Sequence, residues 1–550
     1  MSATALMGPA RPGNSRLGFA AIAAVITLMS FVNALAFASR LAQTSDSASG
    51  FVAGHAIAGG NVLLSGWHFP LDDYYFTDAI PYGLLEAVFG PRPFLLVLVP
   101  ALTYALFVPV ALLVCFEREK PLTANLVGGA TIALLLATPS WTGQWNPLLL
   151  SDMHMATVLA AFVALVLCAH IARAENTPFA AAAALVVITC ATLASDPFAL
   201  VFAFGPATAF LLAEAVMHRR SRGVWLALML LAAGILAGVL LPRMIAQTGG
   251  FATESDILTR PQTLSLLTRN LVAVAMGTLS LFGANPLRVG TGFRDFVLLA
   301  LRGGGLFLAV VALLRTMRRA LKTNETAILD RMLCASIVTV FVACVLSAQF
   351  AKGITPQNLW TGGPPMRFLV PGFLFATVLA GRQAPEMFPR LPGARIRGLF
   401  AAAAALIVLG AVWWSHLDEQ PPWMGGNAPA MAARWLQQRG LLEGTGEYWS
   451  ANLVTAMSGN AVQVRSVVPE SGRLVPYVWV EDARWYKQPP QFVIWEDNNK
   501  TGVTSDEVRA TYRVGRIATV AGYRIARLSV PSGAVTARGK SPAPGLPAKE

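Results

Sequence analysis

Residues 17–38 read LGFAAIAAVITLMSFVNALAFA, a stretch of 22 residues without a charged side chain. A helix of this length crosses the hydrocarbon core of a bilayer, which takes about 20 mostly apolar residues. The stretch is longer than the apolar core of a signal peptide, which has roughly 7 to 15 residues. We therefore interpret it as a retained first span. Cleavage after Ala36-Phe37-Ala38, which resembles a signal-peptidase site, is the alternative.

The composition of the whole chain is that of a membrane protein. Of its 550 residues 55% are hydrophobic and 13% are charged, and the mean hydropathy is +0.56. Soluble domains carry about 25% charged residues, so a soluble multidomain enzyme and a disordered chain are excluded. The net charge of +13 is spread between apolar runs instead of covering one soluble face, so no nucleic-acid partner is expected.

Eleven runs are long and apolar enough, or nearly so, to span a bilayer. They begin near Leu17, Pro93, Leu122, Met153, Pro178, Pro197, Val224, Phe296, Leu329, Met366 and Gly398. The segment from Leu264 to Phe282 is a twelfth apolar run, which we interpret as an interfacial or re-entrant helix, with a spanning helix as the alternative. The sequence thus predicts a polytopic α-helical membrane protein with about eleven transmembrane helices.

Basic residues indicate the orientation, because Lys and Arg in short connections mark the cytoplasmic side. They fall at every second connection of the predicted topology. The clusters are Arg11/Arg16, Arg118/Lys120, Arg173, Arg219/Arg220/Arg222, Arg315/Arg318/Arg319/Lys322/Arg331 and Arg382/Arg390/Arg395/Arg397. The N-terminus is therefore predicted to be cytoplasmic and, with an odd number of spans, the C-terminal region periplasmic. The Ala-, Pro- and Arg-rich composition is typical of a bacterial inner-membrane protein.

The predicted domains are a transmembrane catalytic domain over 1–416, with outer loops over 41–91 and 242–295, and a small periplasmic α/β domain over 417–530. Residues 531–550 are predicted to be disordered. Within the α/β domain the pattern predicts a helix over 428–439 and short strands. The strands are expected near 462–464, 477–480, 492–495 and 523–530. Its aromatic residues predict a hydrophobic core, with an acceptor-glycan platform as the alternative. These are Tyr448, Trp449, Trp485, Tyr486 and Trp495.

Motifs for several other chemistries are missing from the sequence. The five cysteines lie inside apolar runs without a CxxC pair, so no disulfide framework or zinc site is encoded. There is no Walker loop, GxGxxG motif or HExxH motif. No cofactor is therefore predicted, although a divalent cation held by carboxylates stays open.

Aspartates before residue 416 are distributed unevenly in the predicted topology. They are Asp46, Asp72, Asp73, Asp78, Asp152, Asp196, Asp256, Asp295 and Asp330. All except Asp330 are predicted on the outer side, although acidic residues have little intrinsic preference for either side. Helix capping accounts for some of them, including Asp196 and Asp295. It does not account for the acidic residues of the first outer loop.

That loop combines carboxylates with groups that bind sugars. Asp46 comes just past the first span, at the depth of the membrane surface, where a carboxylate can accept a proton from a hydroxyl. Further along are other acids and rings that could bind hydroxyl groups. These candidate substrate-binding residues are His55, Asp72, Asp73, Tyr74, Tyr75 and Asp78. A solvated loop with an aromatic belt is the alternative.

The chain resembles polytopic membrane glycosyltransferases of the GT-C fold, in the branch of protein O-mannosyltransferases and aminoarabinose transferases. The resemblance covers the whole architecture. Three short patterns support it: the acidic Asp46 after the first span, Thr77-Asp78-Ala79-Ile80-Pro81-Tyr82 before a later span, and Arg367-Phe368-Leu369-Val370-Pro371 at the start of a late span. The family often has a pair of acids at the first position, whereas Ser47 follows Asp46 here.

The resemblance implies transfer of a sugar from a polyprenyl-phosphate carrier to an envelope glycan, a lipid or a protein at the outer face, within membrane lipid. Asp46 would be the general base, giving inversion at the sugar carbon. Lys352 and Arg367, which are predicted near the outer face, would bind the phosphate. Asp152 and His154 are further candidates for substrate binding, with helix capping and an interfacial position as the alternative.

Two other classes of function stay open. A transporter usually carries ionisable residues near the middle of the membrane, and the predicted spans have few. A non-catalytic assembly subunit for envelope polysaccharide is the third possibility, because the acidic pair is incomplete at Asp46.

Overall fold

The computed structural model describes most of the chain. The described residues are 12–117, 120, 122–139, 146–218, 222–254, 263–288, 292–322, 327–348, 350, 353–355, 358–361, 363–387, 427–496 and 502–528. Two compact units are formed by interleaved segments. The first unit takes in Met1–Phe37, Ala101–Gly143 and Gln262–Glu419, and the second takes in Ala38–Pro100, Gln144–Pro261 and Gln420–Glu550.

Helices dominate the part of the chain before residue 388. They are α1 (Pro12–Ala38), α2 (Ser45–Ala58), α3 (Ile80–Phe89), α4 (Leu95–Cys115), α5 (Leu122–Leu136), α6 (Met155–Arg173), α7 (Phe179–Ser195), α8 (Gly205–His218), α9 (Arg222–Gln247), α10 (Leu264–Leu281), α11 (Phe293–Lys322), α12 (Ile328–Leu346) and α13 (Val370–Met387). π-helical turns over Tyr75–Ala79 and Leu200–Phe204 precede α3 and α8.

Within the described residues, nine helical segments are long and apolar enough to cross a membrane. One of these nine segments is α10, and the other eight correspond to predicted spans. The apolar helices α5 and α7 are shorter and correspond to two more, so ten of the eleven predicted spans are helices. The eleventh, beginning near Gly398, lies outside the described residues. The α10 segment is long and apolar enough to span, and its interfacial placement stays a prediction. The polytopic helical class is confirmed.

In the first unit, polar side chains connect helices α4, α12 and α13 near their ends. Asp330 of α12 accepts hydrogen bonds from Arg382 and from Gln383 Nε2, the latter at 3.0 Å, and Arg382 also donates to the Val114 carbonyl of α4 at 2.5 Å. Asp330 is the one aspartate predicted on the inner side, and Arg382 belongs to a predicted inner basic cluster. Their pairing is consistent with that shared placement.

A buried arginine in α11 departs from the expectation that the spans are nearly free of charge. Arg302 donates to the carbonyl oxygens of Leu135 at 2.6 Å and Thr138 at 2.5 Å, at the end of α5. The last carbonyls of a helix have no partner within it and carry the negative end of the helix dipole. Arg302 is therefore satisfied as a cap of α5, which gives it a structural role inside the first unit.

In the second unit, the connection that follows α1 is folded. It contains α2, strand β1 (Trp67–Phe69) and α3. Thr44 caps α2, and it forms a capping box with Ser47. Strand β1 pairs in parallel with β2 (Ala252–Thr253) and antiparallel with β6 (Glu481–Asp482). The connection thus shares a small sheet with the C-terminal region.

The C-terminal region is the predicted mixed α/β fold. Its helices are α14 (Ala428–Gln437), α15 (Tyr448–Met457) and α16 (Ser505–Thr511). Its strands are β3 (Glu443–Glu447), β4 (Gln463–Glu470), β5 (Arg473–Pro476), β7 (Phe492–Glu496), β8 (Val514–Val520) and β9 (Tyr523–Leu528). They form a six-stranded sheet of order β5-β4-β3-β7-β9-β8. Apolar residues of α2, β1 and α3 belong to the same core as those of α14 and α15.

Most of the secondary structure predicted for this region is confirmed, with one exception. No strand runs over 477–480: β5 ends at Pro476, and Trp479 makes only an isolated bridge to His68. The reason is that Val480 has a left-handed backbone (φ 55°), which is incompatible with a strand. The aromatic residues lie mainly in the core, since Tyr448, Tyr486 and Trp495 are buried. Residues 531–550 lie outside the described part.

Candidate functional site

Six aspartates predicted on the outer side converge in the second unit, from three separate segments of the chain. They are Asp46, Asp72, Asp73, Asp78, Asp152 and Asp196. Electrostatic interactions link them from one to the next, through Asp46 with Asp152, Asp152 with Asp78, Asp78 with Asp196, Asp196 with Asp73, and Asp73 with Asp72. We call these six residues the aspartate cluster. Asp256 lies outside the described residues, and Asp295 and Asp330 belong to the first unit.

Asp46 is one of the two half-buried members of the aspartate cluster. It occupies the first turn of α2, where the positive end of the helix dipole favours a negative charge. The hydroxyl of Tyr448 donates to its Oδ1 at 2.5 Å. Within the described residues no donor contacts Oδ2. One oxygen of a half-buried carboxylate is therefore available for another partner.

Asp152 contacts α2 one turn beyond Asp46. Its Oδ2 lies 2.5 Å from the Ser49 hydroxyl and accepts the Gly50 N–H at 3.1 Å, while the same Ser49 hydroxyl lies 2.6 Å from the Asp46 carbonyl oxygen. A hydroxyl has a single hydrogen, so it can donate to only one of these two oxygens. Both contacts are hydrogen bonds when Asp152 carries a proton and donates it to Ser49.

Close packing of α2 against α3 brings these groups together. A Cβ atom on Gly54 would lie 2.5 Å from the Tyr82 Cβ, and one on Gly83 would lie 2.9 Å from Ile57. Both distances are shorter than real Cβ contacts, so glycine is required at these two positions. The fully buried Tyr82 shares a hydrogen bond of 2.8 Å with the Ser151 hydroxyl, and this contact joins α3 to the residue next to Asp152.

Burial changes the protonation of three members of the cluster, all outside the membrane-spanning segments. It raises the pKa of Asp73 and of Asp152 well above the usual 3.8. It raises the pKa of Asp78 to about 6, although the Asp152 N–H opposes the shift by donating a hydrogen bond to Asp78. Oδ2 of Asp73 and Oδ1 of Asp152 are buried without a hydrogen bond. A neutral acid tolerates such an oxygen better than a carboxylate does.

A buried imidazole pairs with one member of the aspartate cluster. His154 Nδ1 lies 2.7 Å from Asp196 Oδ2 and 3.1 Å from the Tyr74 hydroxyl, and that hydroxyl lies 3.3 Å from Asp72 Oδ2. Because the carboxylate can only accept, Nδ1 carries the hydrogen that it donates to Asp196. Asp196 is thus more than the helix cap expected from the sequence: it also orients His154.

The backbone is strained where these groups meet. Tyr74, Asp152 and His154 have left-handed conformations, with φ of 50°, 57° and 69°. Such a conformation costs about 1–2 kcal/mol in a residue with a Cβ atom. The surrounding contacts stabilise these unfavourable conformations, and strained residues of this kind concentrate at functional sites.

The raised pKa of Asp78 predicts a pH-dependent stability. Between the usual 3.8 and about 6 the folded state binds more protons at Asp78 than the unfolded state does. The free energy of unfolding should therefore fall as the pH rises through this range, by up to about 1.4 kcal/mol per pH unit. Asp78→Asn should flatten that slope in thermal unfolding of the purified protein. Asp506→Asn, on the exposed side of α16, is the control, and an Asp78→Asn curve parallel to the wild type contradicts the prediction.

Two predicted substrate-binding residues of the first connection make other contacts. His55 is nine residues beyond Asp46 on α2, about 13 Å along the helix axis, and its Nδ1 lies 3.1 Å from the buried Glu86. Tyr75 donates its hydroxyl to the Val62 carbonyl at 2.6 Å. Their assignment to substrate binding stays a prediction. Neither side chain forms a hydrogen bond with the aspartate cluster among the described residues, although the Tyr75 backbone N–H donates to Asp73 Oδ1 at 2.9 Å.

The two cations predicted to bind phosphate are not both described. Lys352 lies outside the described residues. Arg367 belongs to the first unit, in a 3-10 turn over Pro364–Leu369 that leads into α13. The half-buried guanidinium lies over the Phe368 ring, 5.0 Å from its centroid. The expectation that this motif opens a helix is confirmed, and its role with phosphate stays a prediction.

A metal centre has no support among the described residues, where no three His, Cys, Asp or Glu side chains are grouped so that they could hold an ion. The carboxylates are instead engaged with Ser49, Tyr74, His154 and Tyr448. What this arrangement can do is accept a proton at Asp46 and supply neutral or hydrogen-bonded acids around it.

Sequence reasoning missed several members of the site. The sequence predicts Tyr448 in a hydrophobic core or an acceptor-glycan platform, and Ser49 is not among the predicted site residues. The capping signal Thr44-Ser45-Asp46-Ser47 could have indicated that a helix begins here and presents Ser49 and Gly50 one turn later. No sequence signal indicates that Tyr448 contacts Asp46, about 400 residues earlier.

Comparison with known proteins rests on structure alone. No protein-family model matches the chain, and no curated protein matches its sequence. The oligosaccharyltransferase of Archaeoglobus fulgidus, solved in complex with Zn and sulfate, is similar at 12% identity, covering 90% of this chain and 72% of that one with a TM-score of 0.44. ArnT from Cupriavidus metallidurans in the apo state is similar at 12% identity, covering 93% and 97% with a TM-score of 0.37. Both are membrane glycosyltransferases of the GT-C fold, the class that the sequence resembles, and at these values neither assigns a role to a residue of this chain.

Proposed function

We propose that the protein is a membrane glycosyltransferase that moves a sugar from a polyprenyl-phosphate carrier to a hydroxyl group of an envelope glycan, lipid or protein. The observation that carries the proposal is Asp46: a half-buried carboxylate at a helix N-terminus, with one oxygen held by Tyr448 and the other without a donor among the residues that the structure describes. The aspartate cluster around it and the many apolar helices support a site next to a membrane.

Protonation within the cluster suits a negatively charged donor. Six charged aspartates would repel a phosphate, but burial favours the neutral acid at Asp73 and Asp152, and Asp196 is paired with His154. Burial and pairing therefore reduce the negative charge of the cluster that a donor phosphate would meet. Arg367 and Lys352 are the proposed cations for the donor phosphate.

The reaction would proceed by a single displacement. Asp46 takes the proton of the acceptor hydroxyl while that oxygen forms a bond to the anomeric carbon of the sugar. The bond between the anomeric carbon and the phosphate oxygen breaks, and the polyprenyl phosphate leaves with the electron pair. Attack from the face opposite the leaving group inverts the anomeric configuration. The phosphate is a good leaving group, so activation of the acceptor and positioning are the main tasks of the protein.

The experiment is a transfer assay with a panel of radiolabelled polyprenyl-phosphate sugars. Purified wild-type protein and Asp46→Asn are incubated with crude envelope as acceptor, and label in the acceptor fraction is measured. Transfer by the wild type alone is expected, and it would identify the donor sugar. Transfer by both proteins would keep the enzyme class and remove Asp46 as the base.

Lack of transfer by a folded wild type, with every donor in the panel, would count against the glycosyltransferase. Counterflow of a labelled substrate in proteoliposomes would then indicate the transporter alternative. Loss of an envelope polysaccharide in a deletion strain, restored equally by the wild type and Asp46→Asn, would indicate a non-catalytic assembly subunit.

A further inference from the structure

The start of α15 in the C-terminal region lies against the start of α2. The Tyr448 hydroxyl donates to Asp46 Oδ1 at 2.5 Å, and the Asn452 N–H donates to the Ser45 hydroxyl at 3.1 Å. These two contacts, one turn apart on α15, meet two consecutive residues of α2. Ala48, Phe51 and Val52 of α2 belong to the same hydrophobic core as Ala451 and Val454 of α15, so the two helix ends are held together by packing as well.

Tyr448 is itself held in one position. Only 5% of its surface is exposed, and its ring packs edge-on against Tyr477, with centroids 5.4 Å apart. Burial and the nearby Asp46 raise the pKa of its phenol well above 10, so the hydroxyl keeps its proton and serves as a donor. A fixed ring with a permanent hydrogen sets both the place and the direction of the bond to Asp46.

We propose that Tyr448 is a positioning residue, through which the C-terminal region orients the Asp46 carboxylate for proton transfer. The proposal rests on the proposed role of Asp46 as general base. With Oδ1 held by Tyr448, the rotation of the carboxylate is restricted and Oδ2 is left for the acceptor hydroxyl. The C-terminal region then contributes directly to catalysis, in addition to any contact it makes with the acceptor.

The test compares Tyr448→Phe with Tyr512→Phe in the full-length protein. Tyr512 is also buried, but it packs in a separate core of the C-terminal region, so it reports what the loss of a buried hydroxyl does by itself. Steady-state kinetics should show kcat reduced about 10- to 100-fold in Tyr448→Phe, the usual consequence of losing a hydrogen bond to a charged group. KM for the donor should stay within about twofold, and Tyr512→Phe should resemble the wild type.

A second measurement does not depend on transfer. Labelling of Asp46 by a water-soluble carbodiimide, followed by peptide mass spectrometry at fixed pH, should be faster in Tyr448→Phe than in the wild type, because Oδ1 is no longer engaged. Equal labelling rates would overturn the contact. Faster labelling with an unchanged kcat would overturn the positioning role. If the folded wild type transfers no sugar, the proposed function fails and the catalytic role of Tyr448 fails with it, while labelling still decides whether Tyr448 holds Asp46.

Discussion

Asp46→Asn is expected to lower the rate of sugar transfer about 1,000-fold, within the range that a general base contributes. The amide keeps the size of the side chain and can still accept the Tyr448 hydrogen bond through its oxygen, so the fold should be preserved. It cannot accept the proton of the acceptor hydroxyl. The measurement is the initial rate of transfer by equal amounts of purified protein in the same lipid environment.

Asp152→Asn is the matched control for this prediction. Asp152 lies in the same cluster, but the contacts of the Ser49 hydroxyl and the raised pKa of Asp152 both indicate a neutral acid. An amide of the same shape replaces a neutral acid with little electrostatic change, so transfer should stay within about tenfold of the wild type. Equal losses in the two variants would contradict the distinction between a charged base at Asp46 and a neutral acid at Asp152.

Arg382→Leu is expected to destabilise the protein by about 3–5 kcal/mol, the usual cost of removing one partner of a buried ion pair. The Arg382 side chain is 9% exposed and that of Asp330 is 6% exposed. Without the guanidinium, Gln383 is the one donor to Asp330 left in the described part of the chain, and the Val114 carbonyl loses its contact with Arg382. Thermal unfolding in detergent, followed by intrinsic fluorescence, measures the change.

Two further variants distinguish the stability contributed by a buried ion pair from that contributed by an exposed one. Arg315→Leu removes an arginine that pairs with Glu386. The Arg315 side chain is 29% exposed, and exposed pairs contribute only about 0–1 kcal/mol. The double variant Arg382→Leu/Asp330→Leu should recover much of the lost stability, because no uncompensated charge is left. If Arg315→Leu and Arg382→Leu unfold at the same temperature, Arg382 does not stabilise the helices by pairing with Asp330.

Much of the helical architecture could be predicted, because the length and apolarity of a span are local properties of the sequence. The runs beginning near Leu17, Pro93 and Met153 correspond to α1, α4 and α6. The mixed α/β class of the C-terminal region followed in the same way from short β-rich runs. The strand expected over 477–480 was wrong, because Val480 takes a left-handed backbone and donates its N–H to the carbonyl of His68, which is distant in sequence.

The fold of the first connection could not be predicted from composition. Its Ser-, Gly- and Ala-rich start has little apolar periodicity, yet it forms α2, because Gly54 and Gly83 permit a contact that larger residues would block. That contact exists only once α3 is in place. A loop was the natural expectation from the sequence, and the packing of the two helices makes it a folded part of the candidate site.

The sequence by itself determined which residues are candidates for the chemistry: a chain that is largely apolar concentrates its aspartates in a few polar segments, and Asp46, Asp78 and Asp152 are recognisable there. The tertiary structure decided what each can do. Burial, which is a property of packing, favours the neutral acid at Asp152. A contact spanning about 400 residues of sequence brings Tyr448 to Asp46. Both effects depend on distances and solvent exclusion, and neither quantity exists until the chain is folded.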